Sequence, residues 1–348
     1  LREHALGRFE DLLLASAHDP AMLYYLDNAR SNANRSGGVN ENYGRELLEL
    51  HTLGIIDGAQ VYTEADIRAA AEVMSGWSVE SGVGFLYRDN YHFSGAVNLL
   101  GGGWSTPGRS GTAGYDDGRS LLVYLAHHPS TARYLAWKLC RFFVAENPPA
   151  ALVDAAAATY LATGTDLAAT LRTVLTSQEL RQSSRQRTKR GYEWVLSALR
   201  TMGASVASGG EWNRYDSRNV PGLLRLVGHE PYGWSTPDGY PVENEWWMSS
   251  WGLYQRWYEG RRLVDASDAA RIAIDPTTLL PETRQPASAW VAELGRLLCG
   301  LDLTDAEIEA CVAFLAVTAD TEIDRDAVGD PGDIIGLIVS MPTFQARG

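Results

Sequence analysis

Apolar residues recur three and four positions apart along most of the chain, which is the spacing of an amphipathic helix. This pattern predicts helices over residues 1–17, 21–30, 64–77, 118–144, 149–163, 166–180, 192–204, 287–300 and 304–317. The alternation typical of a half-buried strand is scarcely seen. The sequence therefore predicts an all-α, predominantly helical fold. It favours one large helical domain over 1–348, with a possible subdivision near 205–240.

Helix start signals support these segments. Thr63 is followed three residues later by Asp66, Thr304 opens the segment TDAEIEA, and Pro129 and Pro149 stand where helices begin. Glycines that mark helix ends follow at Gly54, Gly164, Gly203 and Gly300.

Two irregular regions rich in tryptophan and glycine interrupt the helices, at about 78–118 and 205–239. Each contains one copy of GWSTP, at 103–107 and at 233–237. The residues around the two copies differ, so a duplicated domain is not indicated. We interpret the copies as two similar turns that bring Trp104 and Trp234 to one surface.

Length and charge narrow the class of protein. The chain has 348 residues, which is enough to bury a sizeable core, and its formal net charge of -13 makes a nucleic-acid partner a poor fit. No apolar run approaches the ~18 residues of a membrane-spanning helix. Because the chain begins at Leu1 without Met or an apolar leader, we expect a fragment or a mature form whose targeting segment has been removed.

The three cysteines, Cys140, Cys299 and Cys311, are odd in number and lack ligand-like spacing. Neither a metal site nor a disulfide framework is indicated. Cys299 and Cys311 could pair in an oxidising compartment, but buried apolar side chains are the favoured interpretation.

The densest polar segment is NENYGRELLELHTLG at 40–54, with Asn40 as the expected N-cap. At about 100° per residue one arc of this helix holds Glu41, Asn42, Arg45, Glu46 and Glu49. The spacing favours i,i+4 ion pairs of Arg45 with Glu41 and with Glu49. On pattern alone a solvated, ion-paired face is favoured. The alternative is a face turned into a cleft, where Arg45 keeps one carboxylate ionised and crowding raises the proton affinity of another. His51 falls on the apolar side.

Five segments in order carry a resemblance to a known family: DPAMLYYLDNARSNAN, NENYGRELLELHTLG, YTEADIRAAAEVMSGW, HHPSTARYLAWKLCRFFV and YGWSTPDGYP. With them the whole chain resembles the bacterial family called domain of unknown function 1800. The resemblance implies a helical protein that is usually exported, hence an extracytoplasmic or secreted location, and a larger parent with an N-terminal portion absent here. It implies no settled activity and no cofactor.

The resemblance extends to individual residues. The family's asparagine-glutamate-asparagine-aromatic segment falls on residues 40–43 and its arginine-glutamate pair on Arg45 and Glu46, while its threonine-glycine-tryptophan element ends at Trp77. Its histidine falls on His92. Phe93 and Val97 stand where the family has an acid and a lysine, which puts part of any shared site in doubt.

Other candidates have mainly structural interpretations. Adjacent histidines 127 and 128 at a helix start are better placed for capping or packing than for one metal. Lys138 and Arg141 lie among apolar residues and could pair with the acidic helix at 40–54. The aromatic spacing 247, 251, 254, 258 marks one helical face, for which core packing is favoured over a sugar-stacking platform.

Two hypotheses remain, because no established catalytic signature is present. The first is an exported glycan hydrolase with Glu46 or Glu49 as acid, Glu41 or Asp238 as base or nucleophile, and no metal or cofactor. Its predicted binding residues are Asn42, Arg45, Trp77, His92, Trp104 and Trp234. The second is a non-catalytic envelope protein whose Trp loops bind a polysaccharide or another envelope component. Substrate and oligomeric state stay open.

Overall fold

The computed structural model describes residues 1–206, 219–265 and 272–347. Its internal contacts divide the chain into two compact units, the N-terminal unit (Leu1–Arg181) and the C-terminal unit (Gln182–Gly348). The fold is predominantly helical with short two-stranded sheets, which confirms the predicted fold class. The expectation of one large domain stays a prediction.

Nine α-helices belong to the described part of the N-terminal unit. They are α1 (Phe9–Ala17), α2 (Pro20–Tyr25), α3 (Asn42–Glu46), α4 (Glu64–Met74), α5 (Thr112–Ala126), α6 (Pro129–Phe143), α7 (Ala150–Ala162), α8 (Leu167–Leu175) and α9 (Gln178–Arg181). Short 3₁₀ turns span Arg2–His4, Asn28–Arg30, Asp89–Tyr91 and Leu100–Gly102. A π-helix, Leu47–His51, continues directly from α3.

Two antiparallel hairpins occupy the first region that was expected to be irregular. Strand β1 (Trp77–Glu80) pairs with β2 (Gly84–Tyr87), and β3 (Val97–Leu99) pairs with β4 (Trp104–Thr106). The first GWSTP copy is therefore largely a strand and not a turn, because Trp104 lies opposite Leu99 in the ladder. The prediction of two similar turns is wrong for this copy.

The core of the N-terminal unit joins α1, α4, α5 and the hairpins around buried apolar side chains that include Leu13, Ile67, Met74, Trp77 and Leu122. A smaller cluster lies between α6, α7 and α8. Gly44 permits a close contact between α3 and α4, since a Cβ there would lie 2.6 Å from the backbone oxygen of Ile67 on α4. The sequence thus brings α3 unusually near to α4.

The described part of the C-terminal unit contains α10 (Gly191–Thr201), α11 (Val220–Leu226), α12 (Asn244–Trp247), α13 (Ser250–Asp265), α14 (Ala287–Cys299), α15 (Asp305–Phe314), α16 (Pro331–Ser340) and α17 (Pro342–Gln345). Strand β5 (Ser205–Val206) pairs with β6 (Ile272–Ala273), and β7 (Gln285–Pro286) with β8 (Glu322–Ile323). Pro276–Leu279 and Arg325–Ala327 are 3₁₀ turns. A second apolar core, which includes Trp194, Trp290 and Phe344, holds this unit together.

The predicted start signals are confirmed. Thr63 with Asp66 and Thr304 with Glu307 form capping boxes, and Pro129 occupies the first turn of α6. Gly300 ends α14 in the left-handed conformation that glycine adopts easily. The single helix expected over 118–144 is wrong, because the chain breaks between α5 and α6 at the two histidines.

All three cysteines are free thiols, and Cys140 and Cys311 are buried. The side chain of His128 accepts a hydrogen bond from the Ser130 amide, as expected of a cap. Nε2 of His127 lies 2.8 Å from Glu10. The two histidines thus point to different partners.

Candidate functional site

The helix of the polar segment at 40–54 begins one residue later than expected. Asn40 does not cap the helix in the ordinary way; its Oδ1 accepts from the Asn42 amide, and Glu41 occupies the cap position. The side chain of Asn42 lies 3.4 Å from Asp27. Glu41 and Asn42 thus flank the start of a helix that is only five residues long.

Arg45 pairs with a residue that the sequence pattern did not suggest. Its two terminal nitrogens donate to the two carboxylate oxygens of Glu64, at 3.0 and 2.7 Å. The expected pairs with Glu41 and Glu49 are wrong as the main contacts of Arg45. The hydrogen bond with Glu64 is the largest cause that raises the pKa of Arg45, and the charges of Glu49 and Glu41 raise it further. The physical reason is tertiary: the close approach of α3 to α4 sets Glu64, the first residue of α4, beside Arg45.

The π-helix carries Glu49 and His51 and follows Glu46, the last residue of α3. Such segments are rare and are found often at functional sites. The hydroxyl of Thr52 donates to the Leu47 carbonyl at 2.6 Å and closes the segment. Glu46 and Glu49 are both half-buried.

Glu49 faces two buried tyrosines. Burial raises the pKa of Tyr62, and the negative charge of Glu49 raises it further; burial and Glu49 act in the same way on Tyr134. Burial lowers the pKa of His51 to about 4, with the charge of Lys138 adding to the effect. His51 is therefore a neutral imidazole near pH 7, in agreement with its expected place on the apolar side.

The two cations on α6 contact aromatic rings. The Lys138 ammonium lies 5.1 Å from the ring centre of Tyr134, and the Arg141 guanidinium lies 4.6 Å from that of Trp137. Arg141 also donates to the Glu146 carbonyl.

Trp77 and Trp104 lie in the core of the N-terminal unit, with exposed fractions of 0% and 8%. Trp77 stacks on His18 and Tyr115 at 5.0 and 4.9 Å between ring centres. Nε1 of Trp104 donates to the Ser120 hydroxyl. Neither ring faces solvent, so the cleft lining expected from them is not formed here.

His92 is buried, and its ring centre lies 5.8 Å from that of Tyr87. Its Nδ1 lies 2.9 Å from the Ser75 carbonyl, which requires the proton on that nitrogen. The Ser75 hydroxyl oxygen accepts from the amide of Phe93. The hydrogen bonds of His92 and Ser75 thus join the loop before β1 to the segment after β2.

Asp238 organises the turn of the second GWSTP copy. Its Oδ1 accepts from Nε1 of Trp234 at 2.9 Å and from the Thr236 hydroxyl. Hydrogen bonds from Thr236 and Trp234 lower the pKa of Asp238. The carboxylate therefore fixes the Trp234 ring in the C-terminal unit, whereas Trp104 lies in the N-terminal unit.

A cavity of about 640 Å³ opens in the C-terminal unit where α12 leads into α13. Its apolar wall includes Trp246, Trp247 and Trp251, and its polar residues include Arg256 and the exposed Glu243 and Glu245. The rings of Trp246 and Trp251 are 51% and 67% exposed, so they stand at the opening, whereas Trp247 is buried.

Neighbouring groups hold these rings in place. Nε1 of Trp247 donates to the Pro241 carbonyl at 2.8 Å. The ring of Trp234 lies edge-on to Trp246, with 5.7 Å between their centres. Tyr240 lies 5.0 Å from Trp234 and donates to the Glu230 carbonyl. The second GWSTP turn thus supports one side of the cavity.

An aromatic row on α13 continues from the opening. Ring centres are 5.9 Å apart between Trp251 and Tyr254 and 6.2 Å apart between Tyr254 and Tyr258, and all three side chains are exposed. The core-packing interpretation of the 247, 251, 254, 258 spacing is therefore wrong except at Trp247. The reason is that α13 buries its polar face, which carries Arg256.

Arg256 is fully buried, with an exposed fraction of 0%. Its Nη1 donates to Oε1 of Gln345 at 3.0 Å, and its Nε has no hydrogen-bond acceptor among the described residues. Burial lowers the pKa of Arg256 to about 10, so the side chain stays cationic at neutral pH. The cavity is thus lined by tryptophan together with a buried cation.

A family model described as a protein of unknown function, DUF1800, matches residues 1–346. The chain belongs to the DUF1800 family. No curated protein and no solved structure matches the chain.

In this DUF1800 protein the two departures from the family pattern have structural places. Phe93 bonds through its backbone to Ser75, and Val97 is buried in β3. Apolar side chains thus stand at the two positions where the resemblance implies an acid and a lysine. Over the described ranges no group of three His, Cys, Asp or Glu side chains could hold a metal ion. No helix in the same ranges is long and apolar enough to cross a bilayer.

Sequence reasoning missed Arg256, Glu243 and Glu245. The signal was present in ENEWWMSSWGLYQRW, where polar side chains interrupt a run of aromatics. Both faces of α13 carry large side chains, and periodicity alone does not say which of two such faces is buried.

Proposed function

We propose that this DUF1800 protein binds polysaccharide chains, and that the tryptophan-lined cavity of the C-terminal unit is the binding site. The observation that carries the proposal is the combination of Trp246, Trp247 and Trp251 with Glu243 and Glu245 around one cavity. A largely apolar cavity with a few convergent polar groups is the usual form of a small-ligand site.

Saccharide chemistry fits this lining. A sugar ring presents C–H groups on its faces, which pack on the flat face of an indole, and hydroxyls around its edge. Those hydroxyls need partners when they leave water. The exposed Ser249 hydroxyl supplies a donor, and Glu243 and Glu245 supply acceptors at the same cavity. Exposed rings at the opening also suit a polymer, because a chain can enter from the side and extend along the row on α13.

Binding is favoured over catalysis at the residues first considered. Arg45 is engaged with Glu64, and Asp238 accepts two local hydrogen bonds that hold Trp234. Trp77 and Trp104 are buried. These contacts support structural roles for Arg45, Asp238 and the two tryptophans.

Hydrolysis is the second candidate, and one observation favours it. Glu243 and Glu245 both line the tryptophan cavity, and paired carboxylates beside a bound sugar are what glycoside hydrolysis uses. In that case one of the two protonates the leaving oxygen and the other attacks or activates water. The assignment to Glu46 or Glu49 with Glu41 places the same chemistry on the N-terminal unit.

The binding proposal is tested by screening the protein on a glycan array and then measuring affinity by titration calorimetry. Trp251→Ala should weaken binding by about 2 kcal/mol, roughly 30-fold, because an exposed stacking ring at the opening is lost. Trp257→Ala is the matched control: this ring is exposed on the same helix, bonds to the Ser340 carbonyl and does not line the cavity. Equal affinity of wild type and Trp251→Ala would contradict the proposal.

Mass spectrometry of the products separates binding from hydrolysis. Bound glycans are incubated with wild type and with Glu243→Gln, Glu245→Gln and Glu46→Gln. New oligosaccharides that disappear with the first or second variant support hydrolysis at the cavity, whereas loss with the third moves the chemistry to α3. Intact glycans throughout favour binding alone.

The proposal includes an extracytoplasmic or secreted location, which the family resemblance supports. Its partner is a polysaccharide of the cell envelope or of the surroundings. Fractionation of the native host with an antibody to the chain tests the location; recovery only in the cytoplasm would contradict it.

A further inference from the structure

A second cavity, of about 270 Å³, opens in the N-terminal unit beside the loop that follows α2. Among the described residues no acid lines it, and its polar lining consists of Tyr24, Arg30, Arg35, Ser78, Arg88 and Tyr91. The loop begins within the segment DPAMLYYLDNARSNAN, one of the five that carry the family resemblance. In a chain with a formal net charge of -13, this arginine cavity concentrates positive charge at one place.

Hydrogen bonds hold three segments of the chain around the arginine cavity. The Ser78 hydroxyl of β1 donates to the Ala29 carbonyl at 2.6 Å. The backbone amide of Ala33 donates to the Tyr91 carbonyl at 2.9 Å, which ties the loop to the segment after β2. The cavity is therefore formed before a ligand arrives, and less free energy is spent on ordering it when the ligand binds.

Arg88 is held in place by its neighbours. Its Nε donates to the Ser78 hydroxyl at 3.3 Å, and its Nη2 lies 3.3 Å from the Glu80 carboxylate. Its guanidinium carbon lies 5.7 Å from the ring centre of Tyr91. Glu80 thus matches the charge of Arg88.

The other two arginines have no such partner. The side chains of Arg30 and Arg35 are exposed, and within residues 1–206, 219–265 and 272–347 they form neither a hydrogen bond nor an ion pair. The cavity therefore presents two positive charges that the described acids do not pair with.

The acids nearest to these arginines in the sequence contact other groups. Asp27 lies 3.4 Å from the side-chain amide of Asn42, and Asp89 accepts from the backbone amide of Gly111. Neither acid lines the cavity. The two arginine side chains are thus available to an anion from solution.

We infer that the arginine cavity binds a phosphate monoester, with Arg30 and Arg35 pairing with the phosphate oxygens. A phosphate monoester carries a charge of about -1.5 to -2 near pH 7, which matches two cations better than a single carboxylate does. Guanidinium groups offer parallel donors that fit phosphate oxygens. Tyr24 and Tyr91 supply ring surface for the group that carries the phosphate.

Size and charge favour a small soluble ester. The volume lies below that of a site for a drug-sized molecule, so the ligand is one phosphate with a small group attached. The net charge of -13 opposes the approach of the whole chain to an anionic membrane surface. This site is separate from the saccharide site proposed for the C-terminal unit and does not depend on it.

The test titrates the whole chain by calorimetry with inorganic phosphate, glucose 6-phosphate, glucose and acetate at one ionic strength. Both phosphates should bind about tenfold or more tightly than acetate, and glucose should not bind at this site. Affinity for phosphate should fall as salt rises, because the two arginines are exposed. Phosphate that binds no more tightly than acetate would overturn the inference.

Variants assign the binding to the two arginines. Arg30→Gln and Arg35→Gln should each weaken phosphate binding about tenfold, since each removes a charge-assisted hydrogen bond. Arg68→Gln is the matched control, because Arg68 is an exposed arginine of α4 that does not line the cavity. Circular dichroism checks that all three variants keep the wild-type melting temperature. An equal loss in Arg68→Gln would show that net charge alone is responsible and would overturn the site.

Vesicles distinguish a soluble phosphate from a lipid headgroup. Sedimentation with phosphatidylcholine vesicles, with and without phosphatidic acid, should show no difference if the ligand is soluble. Sedimentation that requires phosphatidic acid and is lost in Arg35→Gln would support the same phosphate chemistry on a lipid. Phosphate affinity of Arg30→Gln and Arg35→Gln equal to that of wild type would overturn the assignment for both sources.

Discussion

Replacing Gly44 by alanine should destabilise the N-terminal unit, although alanine is the better helix former. Gly44 lies in α3, where it faces the backbone of α4. An added Cβ would lie 2.6 Å from the Ile67 oxygen, 2.8 Å from the Ala71 nitrogen and 3.0 Å from the Ala71 Cβ. The two nearest atoms belong to the backbone, so no side-chain rotation relieves the overlap.

The magnitude follows from two opposing effects. Ordinary carbon-oxygen contacts are about 3.3 Å or longer, so α3 and α4 would separate by roughly 0.7 Å. Overpacking of this kind costs about 1–3 kcal/mol, and the upper end applies because backbone atoms are involved. The higher helix propensity of alanine relative to glycine offsets about 1 kcal/mol of this cost. We expect a net loss of about 2 kcal/mol, together with a weaker contact between Arg45 and Glu64.

Urea unfolding followed by circular dichroism measures the loss, with thermal melting as a second readout. Gly37→Ala is the control, since a Cβ at this residue of the same unit meets nothing within 4 Å. Wild-type stability in Gly44→Ala would refute the claim that α3 and α4 are held at backbone contact. Equal losses in both variants would show that the close approach is not the cause.

Three further outcomes are expected. Glu307→Gln should be clearly less stable than Glu309→Gln on the same helix, because the buried Glu307 accepts from Thr304 and Thr343; equal melting temperatures would contradict this. Although burial raises the pKa of Glu307, these hydrogen bonds outweigh it and hold the pKa low, so the difference should fade as acid protonates the carboxylate. The His51 ring should titrate near pH 4 by NMR and not near 6.5. Between these two pH values the unfolded state binds more protons than the folded state, so the free energy of unfolding should fall by up to about 3 kcal/mol as the pH drops from 6.5 to 4. His51→Gln should make this dependence of stability on pH less steep. Thr63→Ala should cost about 1 kcal/mol by removing the cap of α4, as chemical unfolding would report.

Local features of this chain could be predicted from the sequence. Capping boxes at Thr63 and Thr304 and the terminating Gly300 depend on neighbours within a few residues, so the helices that they delimit are found where the pattern indicated. The resemblance of five ordered segments likewise extended over the whole chain and is matched by the family model.

The candidate site depended on contacts that a sequence pattern does not contain. The partner of Arg45 is 19 residues away, and it is set by the approach of two helices. The π-helix also changes the angular step after Glu46, so a wheel drawn at 100° per residue misplaces Glu49 relative to Glu41. On α13 the aromatic face is exposed and the face with Arg256 is buried, the reverse of the usual arrangement.

The exposed tryptophans make one surface of this protein optically visible. Of the tryptophans within the described ranges, those exposed by 48% or more are Trp246, Trp251 and Trp257, and all three lie on α12 and α13. A water-soluble quencher reaches these indoles first, while Trp77, Trp194 and Trp290 are shielded in the cores. Quenchable fluorescence therefore arises largely from the surface around the cavity. A ligand that covers Trp246 and Trp251 would shift the tryptophan emission to shorter wavelength and reduce its quenching. The intrinsic fluorescence of the unlabelled protein therefore reports whether this surface is occupied.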